Sequence, residues 1–126
     1  MKKRLIYLVV ALMVIGGSLT VASAGSADDP KEVTVKGEVI DQVCFETKNG
    51  ARGEAHRSCA LSCAKRGNQM AIIEDGSDTV YAIAGDYSEN KNEKLIPFVA
   101  EKVEAKGTVT EEDGKKLLTI TSIKKL

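Results

Sequence analysis

The sequence of 126 residues contains no tryptophan, a single histidine and only two phenylalanines and three tyrosines. It also lacks an excess of either charge, because 18 Lys and Arg residues balance 18 Asp and Glu residues. Proteins that bind nucleic acids generally carry a basic excess and stack bases on aromatic side chains. The composition therefore argues against nucleic acid as a partner.

Several motifs that indicate an enzyme are absent as well. The sequence contains no G-x-S-x-G nucleophile motif and no glycine-rich phosphate-binding loop. The acidic segments 75–78 and 111–114 lack the ligand spacing of an EF-hand, and we expect both to be hairpin turns. We therefore predict a binding or structural domain and not an enzyme.

The one long apolar run lies at the N-terminus. Three basic residues at positions 2–4 precede the apolar stretch 5–15, and small residues follow at 21–24. Since this is the layout of a secretory signal peptide, we expect residues 1–24 to be cleaved and the protein to be periplasmic or secreted. The alternative is an uncleaved membrane anchor over residues 5–24, which carry no charge and approach the ~20 residues that span a bilayer. Only that form would contact a membrane.

Cleavage would change the charge of the chain. The mature protein loses three basic residues and no acidic ones, so that 15 basic residues remain against 18 acidic residues. Residues 25–31 are small, acidic and contain Pro30, and we expect them to form a flexible tether. The predicted folded domain covers residues 32–126.

The sequence of residues 32–126 predicts five strands and one helix. Apolar alternation and turn residues predict strands over residues 32–43, 69–74, 79–84, 101–110 and 115–124. Segment 54–66 is rich in alanine, leucine and charged residues and stops at Gly67, which predicts a helix with a glycine after its end. Segment 85–93 is predicted to be a polar loop.

Two of the predicted strands share a pattern. Val-x-x-Lys-Gly-x-Val occurs around Gly37 and again around Gly107. A glycine inside a strand often marks a bulge or a sharp bend, and small barrels need such bends at their corners. We therefore predict a mainly β fold, a small five-stranded, partly open OB-like barrel with one helix inserted after the first strand.

All the cysteines and the only histidine lie within twenty residues, in the pattern Cys44…His56-x-x-Cys59-x-x-x-Cys63. In a helix over 54–66, the last three of these share one face. Cys44, predicted at the end of the first strand, needs only to lie beside that face. A Cys₃His set suits tetrahedral Zn²⁺, and thiolates also favour Cu(I). The sequence thus predicts a metal site formed by Cys44, His56, Cys59 and Cys63.

Haem is an alternative cofactor for the same residues. A covalently attached c-type haem requires C-x-x-C-H, which the sequence lacks. His56 could still serve as the axial ligand of a haem that is bound without a covalent link.

A disulfide is the competing prediction for the cysteines, because an exported chain meets an oxidising compartment. The candidate pairs are Cys44–Cys59, Cys44–Cys63 and Cys59–Cys63. Either of the first two would fasten the helix to the first strand and contribute on the order of 3 kcal/mol. The protein would then be a disulfide-stabilised interaction domain that binds a periplasmic protein or a small ligand through its barrel face.

A thiol-redox protein is a third possibility. Positive charge on His56, Arg57, Lys65 and Arg66 could lower the pKa of a thiol such as that of Cys59. The absence of a Cys-x-x-Cys motif and of a βαβ pattern argues against it.

Four motifs follow one another in the mature chain: Val-x-Val-x-Gly-x-Val at 33–39, the Cys/His cluster at 44–63, Val-Tyr at 80–81 and Gly-x-Val at 107–109. This layout resembles small exported bacterial proteins with an OB-fold-like domain. The resemblance covers most of residues 33–123 and implies a barrel fold and an exported location. It implies no reaction, since no activity is assigned to that group.

Overall fold

A computed structural model of the chain describes residues 30–126. The predicted signal peptide (1–24) and most of the predicted tether (25–31) lie outside the described residues. Within the part of the chain that is described, no helix combines the length and the apolar character needed to cross a membrane.

Residues 30–126 form five strands, two longer α-helices and several short helical turns. The strands are β1 (Lys31–Asp41), β2 (Met70–Glu74), β3 (Val80–Ala84), β4 (Lys102–Glu112) and β5 (Lys115–Lys125). The helices α1 (Gln42–Thr47) and α2 (Arg57–Lys65) both lie between β1 and β2, and a 3₁₀ turn, Glu54–His56, directly precedes α2. Short helical turns at Gly85–Ser88, Glu89–Asn92 and Ile96–Phe98 occupy the connection from β3 to β4. The predicted mainly β fold with a helix after the first strand is confirmed.

The strands close into a barrel in the order β1-β2-β3-β5-β4, and β4 pairs back to β1. Neighbouring strands are antiparallel except β3 and β5, which run parallel. The barrel is therefore closed, and the prediction of a partly open one is wrong in this detail. The cause is the length of β1, since residues 37–41 pair with β2 while residues 31–38 pair with β4.

The two patterned glycines lie where strands approach most closely. Gly37 belongs to the part of β1 that pairs with both neighbours, and a Cβ atom there would collide with the backbone carbonyl of Ile73. A Cβ atom at Gly107 would collide in the same way with the carbonyl of Thr119, and the register between β4 and β5 shifts at this point. The repeated pattern thus marks two positions at which only glycine leaves room for the next strand.

Aliphatic side chains fill the barrel, and α2 packs against this core. The strand residues of the core are Val35, Val39, Met70, Ile72, Ile83, Val103, Ala105, Leu118 and Ile120. Ala60 and Ala64 of α2 belong to the same buried cluster, together with Leu95 and Val99 from the connection between β3 and β4. Burying a side chain such as Leu95 contributes about 1.5–3 kcal/mol. These contacts fix the position of α2, which carries two of the three cysteines.

Candidate metal centre

Asp41 ends β1 and starts α1. It is the N-cap residue of the helix, and its Oδ1 atom accepts hydrogen bonds from the backbone amides of Val43 (3.0 Å) and Cys44 (3.4 Å). Such a cap satisfies amides that have no partner inside the helix. The chain therefore leaves the barrel at residue 41, and Cys44 lies in the first turns of α1. The prediction that Cys44 ends the first strand is wrong for this reason.

Helix α2 presents the other two cysteines. Cys59 and Cys63 are four residues apart, so that their side chains lie on one face of the helix. Cys63 is buried and Cys59 is partly exposed. Since Ala60 and Ala64 occupy the face that packs on the barrel core, small residues bring α2 close to the barrel.

The three sulfur atoms converge between α1 and α2. The Sγ atoms of Cys44, Cys59 and Cys63 all lie within 4.8 Å of one another. All three cysteines, which belong to the described residues, are free thiols. None of the candidate disulfides Cys44–Cys59, Cys44–Cys63 and Cys59–Cys63 is thus formed. A disulfide would instead hold two of the sulfurs about 2.05 Å apart.

His56 belongs to a second group of donors. One of its ring nitrogens, a carboxylate oxygen of Asp41 and the Cys44 sulfur lie within 4.8 Å of one another. The two groups share Cys44. His56 is the last residue of the 3₁₀ turn and occupies the N-cap position of α2 without a side-chain capping bond. The residue spacing of one continuous helix over 54–66 therefore does not describe the position of His56.

Asp41 is not part of the Cys/His pattern. It lies inside the predicted first strand, where the alternation of apolar residues gives a polar side chain no special role. A signal was nevertheless present, since Asp is a preferred N-cap residue and stands three positions before Cys44.

Within residues 30–126, three buried side-chain atoms lack a hydrogen-bond partner: Asp41 Oδ2, Gln42 Oε1 and His56 Nε2. Two of the three belong to the second donor group. In folded proteins the large majority of buried polar atoms are paired, so each exception requires a cause. A ligand that accepts electron pairs from both atoms would supply one.

The electrostatics of the metal-free cluster favour a carboxylate beside neutral thiols. Interaction with the neighbouring Asp41 carboxylate and burial raise the pKa of the Cys44 thiol to about 11. The same two causes raise the pKa of the Cys63 thiol. Burial raises the pKa of Asp41, but interactions with both thiols and with the amides of Val43 and Cys44 outweigh it and hold that pKa below its usual value.

Arg66 brings a positive charge into contact with the cluster. The Arg66 guanidinium donates a hydrogen bond of 3.0 Å from Nη2 to Cys63 Sγ. Arg57 instead forms ion pairs with Glu54 and Glu101. Arg66 can therefore offset part of the charge of a Cys63 thiolate.

The segment that carries His56 is attached to the barrel wall. The buried Glu38 of β1 accepts a hydrogen bond from the Gly53 amide, and the His56 amide donates one of 3.0 Å to the Gly53 carbonyl. Because Glu38 and Asp41 lie on the same strand, β1 positions both non-sulfur donors.

Comparisons with protein-family models, curated proteins and solved structures find no match for this chain.

Proposed function

We propose that this domain is an exported metal-binding module in which the thiolates of Cys44, Cys59 and Cys63 bind Zn²⁺ or Cu(I). The observation that carries the proposal is the convergence of three sulfurs within 4.8 Å from two separate helices. In a tetrahedral site with Zn–S bonds of about 2.3 Å, the sulfurs are about 3.8 Å apart. Shifts of an ångström or less would close the three thiolates around an ion.

A metal ion fits the site better than haem does. The cleft beside His56 and Asp41 has no volume that even a water-sized molecule could occupy, whereas pockets for organic ligands usually measure about 300–1,000 Å³. The thiolates also belong to the soft ligand class that selects Zn²⁺ and Cu(I).

Export supports the proposal and does not oppose it. The layout of residues 1–24 is that of a signal peptide, and thiols at these distances would tend to oxidise outside the cytosol. A bound ion would hold all three as thiolates and protect them from pairing.

The burial of the donors favours a binding role over catalysis. Cys44, Cys63 and Asp41 are buried, and only Cys59 and His56 are partly exposed. Catalytic metal sites keep a coordination position open to water or substrate, and the burial of these donors leaves little access from solvent to the ion. We therefore propose that the protein is not an enzyme.

The test is metal analysis combined with intact mass of the full chain, produced with its leader and purified from the oxidising compartment. We expect Zn or Cu in stoichiometric amount and three thiols that react with an alkylating reagent only after chelation. Ser58→Ala, an exposed change on α2, should retain the metal, whereas Cys59→Ser combined with Cys63→Ser should lose the ion that these two cysteines bind.

Two results would contradict the proposal. A mass increase of two hydrogens on reduction, with no bound metal, would show that the protein is a disulfide-stabilised domain. A disulfide that equilibrates readily with glutathione would instead show a thiol-redox protein.

A further inference from the structure

We propose that the domain binds two Zn²⁺ ions, the second one through Asp41, Cys44 and His56, with the Cys44 thiolate bridging both ions. This inference rests on the proposed function, because Cys44 also belongs to the group of three sulfurs. Donor atoms of Asp41, Cys44 and His56 lie within 4.8 Å of one another. Zn²⁺ accepts all three ligand types, at bond lengths of about 2.0–2.3 Å.

The arrangement of donors favours two ions over one. Two atoms bound to the same Zn²⁺ cannot be further apart than twice the bond length, about 4.6 Å for two sulfurs. The close group that contains His56 includes Asp41 and Cys44, and the close group that contains Cys59 and Cys63 includes only Cys44 in common with it. Asp41 also interacts with the thiol of Cys63, but His56 shares no close group of donors with Cys59 or Cys63 among the described residues. Each group can therefore close around an ion of its own.

The second group contains the unpaired polar atoms of the cluster. Asp41 Oδ2 and His56 Nε2 are both buried and have no hydrogen-bond partner among the described residues. Asp41 Oδ1, in contrast, is occupied by the amides of Val43 and Cys44. One carboxylate oxygen thus orients the side chain and the other is left for a ligand, which is the arrangement that supporting hydrogen bonds give to metal-binding carboxylates.

The charge of the cluster leads to the same number of ions. Three thiolates and one carboxylate carry four negative charges, and two divalent cations balance them. A single divalent cation would leave a net negative charge in a largely buried site, where unpaired charge is costly. Arg66 contacts Cys63 and supplies one compensating charge, so a single divalent cation would still leave the four anionic donors in excess.

The experiment titrates the metal-free full chain with ZnCl₂ and counts bound ions by native mass spectrometry. Wild type should bind two zinc ions. His56→Gln and Asp41→Asn should each bind one, because both keep the three sulfurs. Cys59→Ser combined with Cys63→Ser should also bind one, through the second group, and Cys44→Ser should bind fewer ions than any of these. Ser58→Ala should match wild type.

The visible absorption of the Co²⁺-substituted protein gives a second readout, since its bands depend on which ligands surround the ion. Circular dichroism of every variant confirms that it folds, and Asp41→Asn preserves a residue type that caps helices. The inference is overturned if wild type binds one zinc whose affinity falls in His56→Gln, because all four donors then share one ion. It is also overturned if His56→Gln still binds two.

The two proposals fail in different ways. One zinc that survives His56→Gln and is lost in the Cys59/Cys63 double variant would leave the three-sulfur site standing and remove the second ion. No bound zinc in wild type would overturn this inference, and neither zinc nor copper in the metal analysis of the exported protein would overturn the proposed function as well.

Discussion

The two ends of helix α2 differ in whether the buried polar side chains beside them form hydrogen bonds. At the C-terminal end, the buried Asn92 donates hydrogen bonds from Nδ2 to the carbonyls of Ala64 (2.9 Å) and Asn68 (3.0 Å). At the N-terminal end, His56 makes no side-chain cap bond, and its Nε2 atom and Asp41 Oδ2 are buried without hydrogen-bond partners among residues 30–126. The buried amide of Asn92 is thus paired and links two segments of the chain. The unpaired atoms of Asp41 and His56 lie beside the three converging thiols.

This contrast separates a structural contact from a ligand site. The contacts of Asn92 at the C-terminal end of α2 are complete with protein atoms alone, so their contribution to stability should not depend on metal. The N-terminal end should gain stability when an ion occupies the donors. Four measurements test this contrast.

The largest effect is that of zinc on the wild-type protein. At a free concentration 1,000-fold above the dissociation constant, a ligand that binds only the folded state stabilises it by about 4 kcal/mol. We expect the midpoint of thermal unfolding to rise with added ZnCl₂ and to return on chelation. Cys44→Ser should lose most of this rise. An equal rise in that variant would show that zinc binds elsewhere.

The next effect is that of Asn92→Ala at the other end of α2. Removing the amide leaves the Asn68 carbonyl without this donor and takes one of two donors from the Ala64 carbonyl, which keeps its bond from the Gly67 amide. A buried unsatisfied group costs about 1–3 kcal/mol. We expect a loss of about 2 kcal/mol in the free energy of unfolding, measured with a denaturant. The loss should be the same with and without zinc. A loss that disappears when zinc is added would mean that the two ends are coupled.

A smaller effect distinguishes the two roles of Asp41. Replacing a capping Asp by Ala typically costs about 1 kcal/mol, whereas Asn caps nearly as well as Asp. In the metal-free protein, Asp41→Ala should therefore lower stability by about 1 kcal/mol more than Asp41→Asn does. Both variants should bind less zinc than wild type. If Asp41→Asn binds as much zinc as wild type, Asp41 is a cap and not a ligand.

The contrast also shows what the sequence can reveal. Apolar alternation and turn residues located all five strands, since each strand must present one face to the core. The spacing of Cys59 and Cys63 located the sulfur face of α2 for a similar local reason. The Cys/His pattern also indicates His56 as a donor, but neither Asp41 nor the pairing of His56 with Asp41 follows from it. Asp41 acts through a cap that exists only because the chain turns out of the barrel at that residue, and His56 is placed by the long-range contact between Glu38 and Gly53.

Asn92 illustrates the same limit at the other end of the helix. It lies in segment 85–93, which has the composition of a polar loop, and it has a positive φ of 58°. Its burial depends on the packing of Leu95 and Val99 against α2 and the barrel. No periodic pattern in the segment itself records these distant contacts, so the sequence alone does not distinguish Asn92 from an exposed loop residue.

The smallest effect concerns the ion pairs that hold the start of α2. Arg57 contacts Glu101 at 2.8 Å, and this interaction lowers the pKa of the Glu101 carboxyl. A carboxyl whose pKa is lower in the folded state contributes stability above its unfolded pKa and loses it as the pH falls through the folded value. With metal removed by chelation, we expect the unfolding midpoint of wild type to fall between about pH 5 and pH 3, where carboxyl groups titrate. Glu101→Gln should show a shallower fall, and Glu112→Gln, exposed near the β4–β5 turn, should follow wild type. Equal slopes in all three proteins would show that the ion pair adds nothing measurable, so that packing alone, and not charge, holds the metal-free end of α2 in place.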